Sequence, residues 1–259
     1  MNYGLYLSAS GVLTNLYRQD VYANNLANVE TAAFKPDIPM ISQRDPESIE
    51  NRLGYEVSQR LLDRLGGGVL AGPQFVNYSP GSLERTSNPM DLALSDRNSF
   101  FAVEYKDPQT GDTGIRLTRD GRFTRNSEGE LVTHKGHRVL DTGDMAIILP
   151  GDEPVQINPS GDVLQNNELI ARIQVTRIPD TGMLIKQGHG LFAYQDKDPR
   201  ELVENPVIHQ GFVEGSGVDP VMVLMRLVDA TKAVTTNANM IRYNDLLMDR
   251  AVNTLGRVA

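Results

Sequence analysis

The chain has 259 residues, of which 40% are hydrophobic and 22% charged, and its formal net charge is −8. This length and composition predict a globular protein with a substantial core. The acidic charge argues against a nucleic-acid partner and against an anionic membrane surface, because no basic stripe exists to neutralise phosphates. The absence of cysteine excludes disulfides, thiolate catalysis and cysteine-ligated metals.

The N-terminus does not read as a secretory signal. It lacks a basic segment, a continuous apolar stretch and an obvious cleavage site. No segment approaches the about 20 apolar residues that a membrane span needs. We therefore expect no membrane insertion and no cleaved signal peptide, so export would require another route.

A first helix is predicted from about Tyr3 to Ala27. Apolar side chains recur there at steps of three and four residues, with Gln19 as the one polar member of the series. The stripe consists of Leu5, Ala9, Val12, Leu16, Ala23 and Leu26. An asparagine-rich run ends the helix, and Pro36 and Pro39 prevent its continuation.

Residues 36–85 read as an extended connector of mixed character. A short helix is predicted over residues 46–54, before the triple glycine 66–68. That glycine run could cradle a phosphate, but it lacks the following Lys-Ser/Thr and the flanking strand and helix of a P-loop. A flexible joint or turn is the favoured interpretation.

From Asp91 to Phe212 the pattern is that of β-structure. Apolar and polar residues alternate in short runs, and turn dipeptides such as Glu128-Gly129 and Ser160-Gly161 separate them. Close turns between short strands predict antiparallel hairpins in a compact sandwich or small barrel. No helical pattern separates the strands, so a βαβ nucleotide fold is not expected.

The pattern returns to helix after Gly217. Asp219 is the expected N-cap, Pro220 the first helical position and Gly256 the stop. A heptad stripe runs through Leu227, Val234, Ile241, Met248 and Leu255, and small or polar residues occupy the adjoining positions Ala230, Asn237, Asn244 and Ala251. A dry two-stranded zipper would prefer apolar residues there, so this helix is predicted to pack on several neighbours.

The end of the first helix resembles the N-terminal signature of the bacterial flagellar rod and hook family. That signature is ANNLAN followed by Thr and a Phe-Lys pair, matched here by residues 23–28, Thr31, Phe34 and Lys35. The family usually has Gly before the Phe, whereas this chain has Ala33, which makes the turn less permissive.

Three further blocks resemble the same family in the expected order. Residues 85–104 resemble its entry to the β domain, with Asp91, Ala93, Phe100 and Phe101 in register and Asn98 and Ser99 in place of the usual Gly-containing turn. The next hairpin is matched by Thr118, Arg119, Gly121, Phe123, Gly129, Leu131, Val132 and Gly136. The C-terminal signature is matched by Val218 and Asp219 at the helix start and by residues 238–241 within it.

The resemblance implies an axial subunit of the flagellar basal-body rod. Such subunits are exported unfolded through the flagellar type III apparatus, and their terminal helices pack into a tube around the export channel. The implied partners are copies of the chain and other rod and hook axial proteins. Both ends of the chain are closer to the proximal-rod type, whereas the Gly-rich stretch before Phe75 favours the distal-rod type. The proximal-rod type is the preferred interpretation and the distal-rod type the alternative.

The expected fold is therefore mainly β with long terminal α-helices, arranged as an antiparallel sandwich or barrel-like central domain plus helices that pair in a coiled-coil-like bundle. The expected domains are 1–35 with 215–259 for axial assembly, 36–85 as connector and 86–214 as β domain. The predicted assembly interface comprises Leu5, Ala9, Val12, Leu16, Ala23, Asn24, Asn25, Leu26, Asn28, Leu227, Val234, Ile241, Met248 and Leu255. The three asparagines could instead cap the helix C-terminus.

An enzyme is not expected, and no catalytic, cofactor or metal residue is predicted. His134 and His137 read as exposed turn residues, and His189 and His209 as surface loop residues. No G-x-S-x-G elbow or H-E-x-x-H is present. The alternative function is an extracellular oligomeric β binding module, but 6% aromatic content without tryptophan disfavours a carbohydrate platform.

Overall fold

The structure is a computed structural model that describes residues 3–45, 66–107, 111, 113–151, 153–194 and 200–255. The chain folds into two compact units. Segments 1–27, 37–75 and 219–259 form one unit, called the helical unit below, and segments 28–36 and 76–218 form the other, called the β unit. The described fold is mainly β with a helix towards each end of the chain, as predicted.

Two helices dominate the helical unit. Helix α1 spans Tyr3–Ala27, the predicted range, and α2 spans Pro220–Arg250 before a π-helical turn at Ala251–Leu255. Asp219 caps α2 as predicted, since its Oδ1 accepts hydrogen bonds of 3.0 Å from the backbone N–H groups of Val221 and Met222. Pro220 follows at the first helical position, where its missing N–H costs nothing.

A β-hairpin completes the helical unit. Strands β1 (Asp37–Gln43) and β2 (Val69–Val76) pair within the stretch that reads as a connector in the sequence. Their antiparallel register is fixed at one end by Arg44, whose N–H donates to the carbonyl of Gly68 and whose carbonyl accepts from Gly67. The short helix predicted over residues 46–54 lies outside the described residues.

The β unit is built from short antiparallel strands. In chain order they are β3 Leu83–Arg85, β4 Leu92–Leu94, β5 Ser99–Lys106, β6 Thr113–Thr118, β7 Phe123–Arg125, β8 Leu131–Thr133, β9 Arg138–Val139, β10 Val155–Ile157, β11 Asp162–Gln165, β12 Glu168–Arg172, β13 Val175–Arg177, β14 Leu184–Gly188, β15 Leu191–Tyr194, β16 Glu201–Leu202, β17 Ile208–Gln210 and β18 Phe212–Glu214.

The largest sheet has the order β14-β15-β6-β5-β9-β8-β7, and β13 pairs with both β5 and β16. Smaller sheets are β10-β11-β12, β17-β4 and β18-β3. Within the described part of the chain the sheets remain open, so the barrel-like alternative is wrong. The antiparallel pairing is confirmed, with β5 and β6 joined over six residue pairs from Phe101–Thr118 to Lys106–Thr113.

The central strand β5 is covered on both faces. Because side chains alternate along a strand, Phe101 and Val103 enter the larger core cluster while Phe100 enters a smaller aromatic cluster. Phe100 packs against Tyr78 and Phe192, with ring centroids 6.1 and 5.7 Å away. The contiguous Phe pair in the sequence thus supplies one large side chain to each side of the sheet.

Candidate assembly interface

Helices α1 and α2 pack against each other in antiparallel orientation. A β-carbon added at Gly4 would lie 3.5 Å from Asn244 Nδ2, and one added at Gly11 would lie 2.7 Å from Asn237 Nδ2. The residue numbers of the glycines rise as those of the contacting asparagines fall, so the two helices run in opposite directions. The two glycines are one heptad apart and leave room for the asparagine side chains at the contact, called the helix seam below.

The predicted C-terminal stripe faces this seam. Val223 and Ala230 are buried, and Leu227, Val234 and Ile241 are half-buried along the same face of α2. Met248 lies on that face too but is 41% exposed near the end of the pairing. The side chain of the fifth predicted member, Leu255, lies outside the described residues.

The predicted N-terminal stripe lies on a different face of α1 from the buried one. Leu16 and Ala23 are exposed, while Leu5, Ala9, Val12 and Leu26 are half-buried. The buried residues of α1 are Gly11, Thr14, Val21, Tyr22 and Asn25. At 100° per residue the two sets point to nearly opposite sides of the helix. Inside one subunit, α1 therefore packs through the face that contains Gly11, Val21 and Asn25, and it leaves the side of Leu16 and Ala23 facing solvent.

The β1–β2 hairpin is attached to α1 by bonds from side chains to backbone. The Tyr17 hydroxyl donates to the carbonyl of Gly72 at 3.3 Å. The Thr14 hydroxyl, which donates to the Ser10 carbonyl at 2.8 Å, lies 3.4 Å from the carbonyl of Val69. Such bonds fix the hairpin position without requiring a matching apolar surface.

The asparagines of the N-terminal signature have different surroundings. Asn25 is 2% exposed, donates to the Asp37 carbonyl at 2.7 Å and accepts from the Asp37 N–H at 2.9 Å. This reciprocal pair gives Asn25 a role inside the chain, as the tie between α1 and the start of β1. Asn28 follows the helix, and its side-chain oxygen accepts from the Thr31 hydroxyl at 3.2 Å. Asn24 is exposed on α1.

The helical unit leaves a large apolar surface uncovered. On α1 and the hairpin, the exposed large apolar residues are Tyr6, Leu13, Leu16, Ile38, Met40, Ile41, Leu70 and Phe75. On α2 and its terminal turn they are Val221, Met222, Leu224, Met225, Val228, Met240, Tyr243, Leu246, Leu247, Met248 and Val252. So many exposed large apolar residues in one unit are typical of an interaction site.

The β unit instead buries charges. Lys35 Nζ donates to Glu214 Oε1 at 2.6 Å, and Arg119 Nε donates to Glu214 Oε2 at 2.8 Å. The three side chains are each about 1% exposed, and we call them the ion cluster. The backbone N–H of Gly81 adds a third donor to Glu214 at 3.0 Å. Burial lowers the pKa of Lys35, and the neighbouring Glu214 carboxylate opposes that shift.

Backbone carbonyls accept further hydrogen bonds from the cations of the ion cluster. Arg119 Nη1 donates to Ser99 at 2.6 Å and Nη2 to Leu94 at 3.2 Å, while Lys35 Nζ also donates to Ser79 at 3.0 Å. The cluster therefore joins the first and last segments of the β unit to its central sheet. Its carboxylate, Glu214, accepts hydrogen bonds from three donors of the same chain.

The histidines do not form a catalytic arrangement. His137 is half-buried beside Tyr105, with ring centroids 5.3 Å apart, and burial lowers its pKa. His209 lies on strand β17 rather than in a loop, so that prediction is wrong, and its Nε2 is 2.6 Å from the Ser95 hydroxyl. Among the residues that the structure describes, no His, Asp and Glu side chains group as metal ligands would.

A polar groove beside His137 is lined by charged residues that pair with one another. Arg138 pairs with Glu130 at 2.9 Å and with Glu104 at 3.4 Å.

None of the described helices is long and apolar enough to span a membrane.

Two features define the class of protein: terminal helices that pair yet remain apolar on their outer sides, and a β unit closed by its own buried ion cluster. This is the organisation of a structural subunit whose helical part is available for assembly. Three segments match families of flagellar axial proteins. Residues 5–35 match "Flagella basal body rod protein", 97–165 match "Flagellar hook protein FlgE/F/G D1 domain", and 209–254 match "Flagellar basal body rod FlgEFG protein C-terminal".

Full-length relatives agree with these matches. The flagellar basal-body rod protein FlgF of Caulobacter vibrioides is 31% identical over 259 residues and covers all of both chains. FlgF of Mesorhizobium japonicum is 28% identical over 99% of both chains. FlgG of Agrobacterium fabrum is 25% identical over 93% of this chain and 95% of its own. The chain belongs to the flagellar basal-body rod protein family, and its relatives are structural proteins of the rod.

The sequence interpretation missed two features of these sites. Gly4 and Gly11 lie inside a helix, where glycine is unfavourable, and such a residue is a signal of close approach by another element. The ion cluster had no periodic signal, because Lys35, Arg119 and Glu214 are far apart in sequence. Each of its members falls in a different family match, so the pattern of three matched segments is the one signal that could have suggested a shared site.

Proposed function

We propose that this chain is a structural subunit of the flagellar rod, of the proximal-rod type, and that it polymerises through its terminal helices. In this proposal it reaches the basal body through the flagellar type III export apparatus without a cleaved signal, and its partners are copies of itself and other rod and hook axial proteins. The FlgF relatives at 31% and 28% identity favour the proximal type over the FlgG relative at 25%.

The observation that carries the proposal is the apolar outer side of a helix pair that has already formed. The exposed face of α1 contains Leu16 and Ala23, both members of the predicted interface. Exposing such faces to water is unfavourable, and burying them between subunits offsets the ordering of side chains and segments. Repetition of the contact around an axis would place paired helices in the wall of a tube, in coiled-coil-like packing.

Electron microscopy of basal bodies from a deletion strain tests the proposal. We expect the rod to be absent or truncated and motility to be lost, with both restored by the native chain. A complete rod in the deletion strain would contradict a structural role.

A matched pair of variants then tests whether assembly requires the intact helix pair. Leu227→Asp places a charge in the helix seam and should block polymerisation while the β unit stays folded. Leu169→Asp alters a leucine that is 60% exposed in the β unit, and it should assemble normally. Normal rods from the Leu227 variant would remove the seam from the assembly mechanism.

A further inference from the structure

The last strand of the β unit, β18, has little backbone pairing of its own. It comprises Phe212–Glu214 and pairs with β3 in a sheet of two strands, and all three residues of β3 are exposed. A two-stranded sheet of this length is at best marginally stable by itself. Judged from its backbone alone, β18 should therefore detach and reattach often while the central sheet stays folded.

The side chain of Glu214 changes this expectation, because β18 supplies the carboxylate of the ion cluster. Its Oε1 accepts from Lys35 Nζ at 2.6 Å, and its Oε2 accepts from Arg119 Nε at 2.8 Å. Both cationic side chains are at most 1% exposed. Detachment of β18 alone would leave two buried cations without this carboxylate, and loss of one partner from a buried ion pair is strongly unfavourable.

The side chain of Arg119 cannot follow Glu214 into water while the central sheet remains intact. The preceding residue, Thr118, pairs with both β5 and β15. The guanidinium carbon of Arg119 lies 5.9 Å from the ring centroid of Phe100, which is completely buried, and Nη1 donates to the Ser99 carbonyl at 2.6 Å. Exposing this cation therefore requires the strands around it to separate.

The first segment of the β unit is tied to β18 in the same region. The Ala33 N–H donates to the Glu214 carbonyl at 2.8 Å, two residues before the Lys35 ion pair. If the two segments detach together, the pair of Lys35 and Glu214 leaves with them. Arg119 then remains in the sheet as a single buried cation without its carboxylate, so joint detachment is also unfavourable.

We propose that the ion cluster couples the first and last segments to the central sheet, so that the β unit opens as one cooperative unit rather than strand by strand. Detaching β18, with or without the first segment, strands Arg119 in a place that opens only with the sheet. At the cost typical of a broken buried ion pair, separate detachment becomes rarer by about 10²–10³-fold. The coupling is a property of the folded chain and does not depend on the proposed rod function.

Native-state hydrogen exchange of the full-length chain in a urea series tests the coupling. The edge amides are the hydrogen-bonded N–H groups of Ala33 and Gly215, and the central amides are those of Ala102 and Leu140. We expect all four to exchange through one opening, with equal opening constants and the same urea dependence. Exchange of the edge amides through a more frequent opening that is insensitive to urea, while the central amides stay protected, would overturn the proposal.

A charge-removing variant extends the test. Glu214→Gln keeps the size of the side chain but leaves Lys35 and Arg119 buried without a counter-charge, so the central amides should lose protection by about 100-fold or more, together with the edge amides. Glu84→Gln is the matched control, since Glu84 is exposed on β3 beside the residue that faces Glu214. It should leave all four amides unchanged. A loss confined to the edge amides, or an equal loss in both variants, would overturn the proposal.

An apolar replacement of the whole ion cluster keeps the test decisive if Glu214→Gln does not fold. Lys35→Met with Arg119→Met and Glu214→Met fills a similar volume without charge, an exchange that is often neutral or stabilising. The central amides should keep their protection, whereas the edge amides should exchange about 100-fold faster through a separate opening. Joint exchange of all four amides in this triple variant would show that the charges do not provide the coupling, and it would overturn the proposal.

Discussion

The two units of this chain differ in which side chains they bury. The helical unit keeps apolar residues such as Leu246 and Leu247 more than half exposed, whereas the β unit buries Phe100 and Phe101 completely. The β unit even buries three charged groups in its ion cluster. A surface that stays apolar after folding is suited to association, and a unit that satisfies its buried charges internally is suited to stand alone.

This difference suggests a division of roles. In the β unit, the hydrogen bonds and ion pairs of the ion cluster join its first and last segments to the central sheet. The helical unit combines glycine and asparagine with Val223, Leu227 and Ile241 in its internal pairing, and it leaves many other large apolar residues exposed. A change in one unit should therefore affect stability or assembly in a way that the other unit does not share.

The largest effect is expected from Glu214→Gln in the β unit. Removing this carboxylate leaves the Lys35 and Arg119 cations buried without a counter-charge, and loss of one partner in such a cluster costs about 3–5 kcal/mol. Urea unfolding followed by tyrosine fluorescence should show the loss. Glu84→Gln is the matched control. Glu84 is exposed on β3, opposite Val213 in the antiparallel pairing with β18, so its carboxylate is not buried beside a cation. Equal free energies of unfolding for the two variants would show that the ion cluster does not stabilise the β unit.

A second prediction concerns the helix seam. Gly11→Leu forces a side chain into the space of Asn237 and should destabilise the helix pair by about 1–3 kcal/mol. Adding Asn237→Ala makes room and should recover a large part of that loss. Helical circular dichroism during thermal unfolding measures both. Additive effects of the two substitutions would mean that these residues do not meet.

A smaller, stabilising effect is expected at Ala33. This buried residue has a φ of 54°, in the left-handed region that disfavours residues with a β-carbon, and its N–H donates to the Glu214 carbonyl at 2.8 Å. Ala33→Gly should raise stability by about 1 kcal/mol. The neighbouring Ala32→Gly relieves no such backbone strain, so it should leave the free energy of unfolding unchanged or lower it. A destabilising Ala33→Gly would show that the backbone there carries no strain.

The smallest effect concerns pH. Burial lowers the pKa of His137 and of His134 below the ordinary value of 6.5, so the unfolded chain binds protons more readily than the folded one. Their contribution to stability is present above pH 6.5 and is lost as the pH falls through the folded pKa values. The unfolding midpoint should therefore decline between about pH 7.5 and about pH 5.

Replacing both histidines by asparagine should flatten that decline. Asp96 and Asp162 do not interfere, since their arginine partners lower their pKa values from 3.8, outside this window. An unchanged slope in the double variant would place the pH dependence elsewhere.

The sequence predicts the helices well because their signals are local. The asparagine-rich run ends α1 at Ala27, and Asp219 with Pro220 starts α2, through capping and backbone restrictions that act within a few residues. The alternation of apolar residues also identifies the antiparallel strands of the central region. These features depend on neighbours in sequence rather than on distant contacts.

The remaining features depend on distant contacts and were missed or left open. The β1–β2 hairpin forms where proline and glycine obscure the strand pattern, and its position is set by Thr14 and Tyr17 of α1. The sequence identifies an apolar stripe on α1 but not its neighbour, and glycine at positions 4 and 11 allows the closest approach to α2 on another side of the helix. Periodicity identifies an apolar face but does not identify which neighbour covers it.

Hydrogen exchange on the monomer and on assembled rods measures which amides become protected on assembly. We expect amides of α1, the β1–β2 hairpin and α2 to gain protection, while the β unit, closed by its ion cluster, keeps the protection that it has in the monomer. Equal protection of the helical unit in both states would contradict the claim that its exposed apolar faces form the assembly surface.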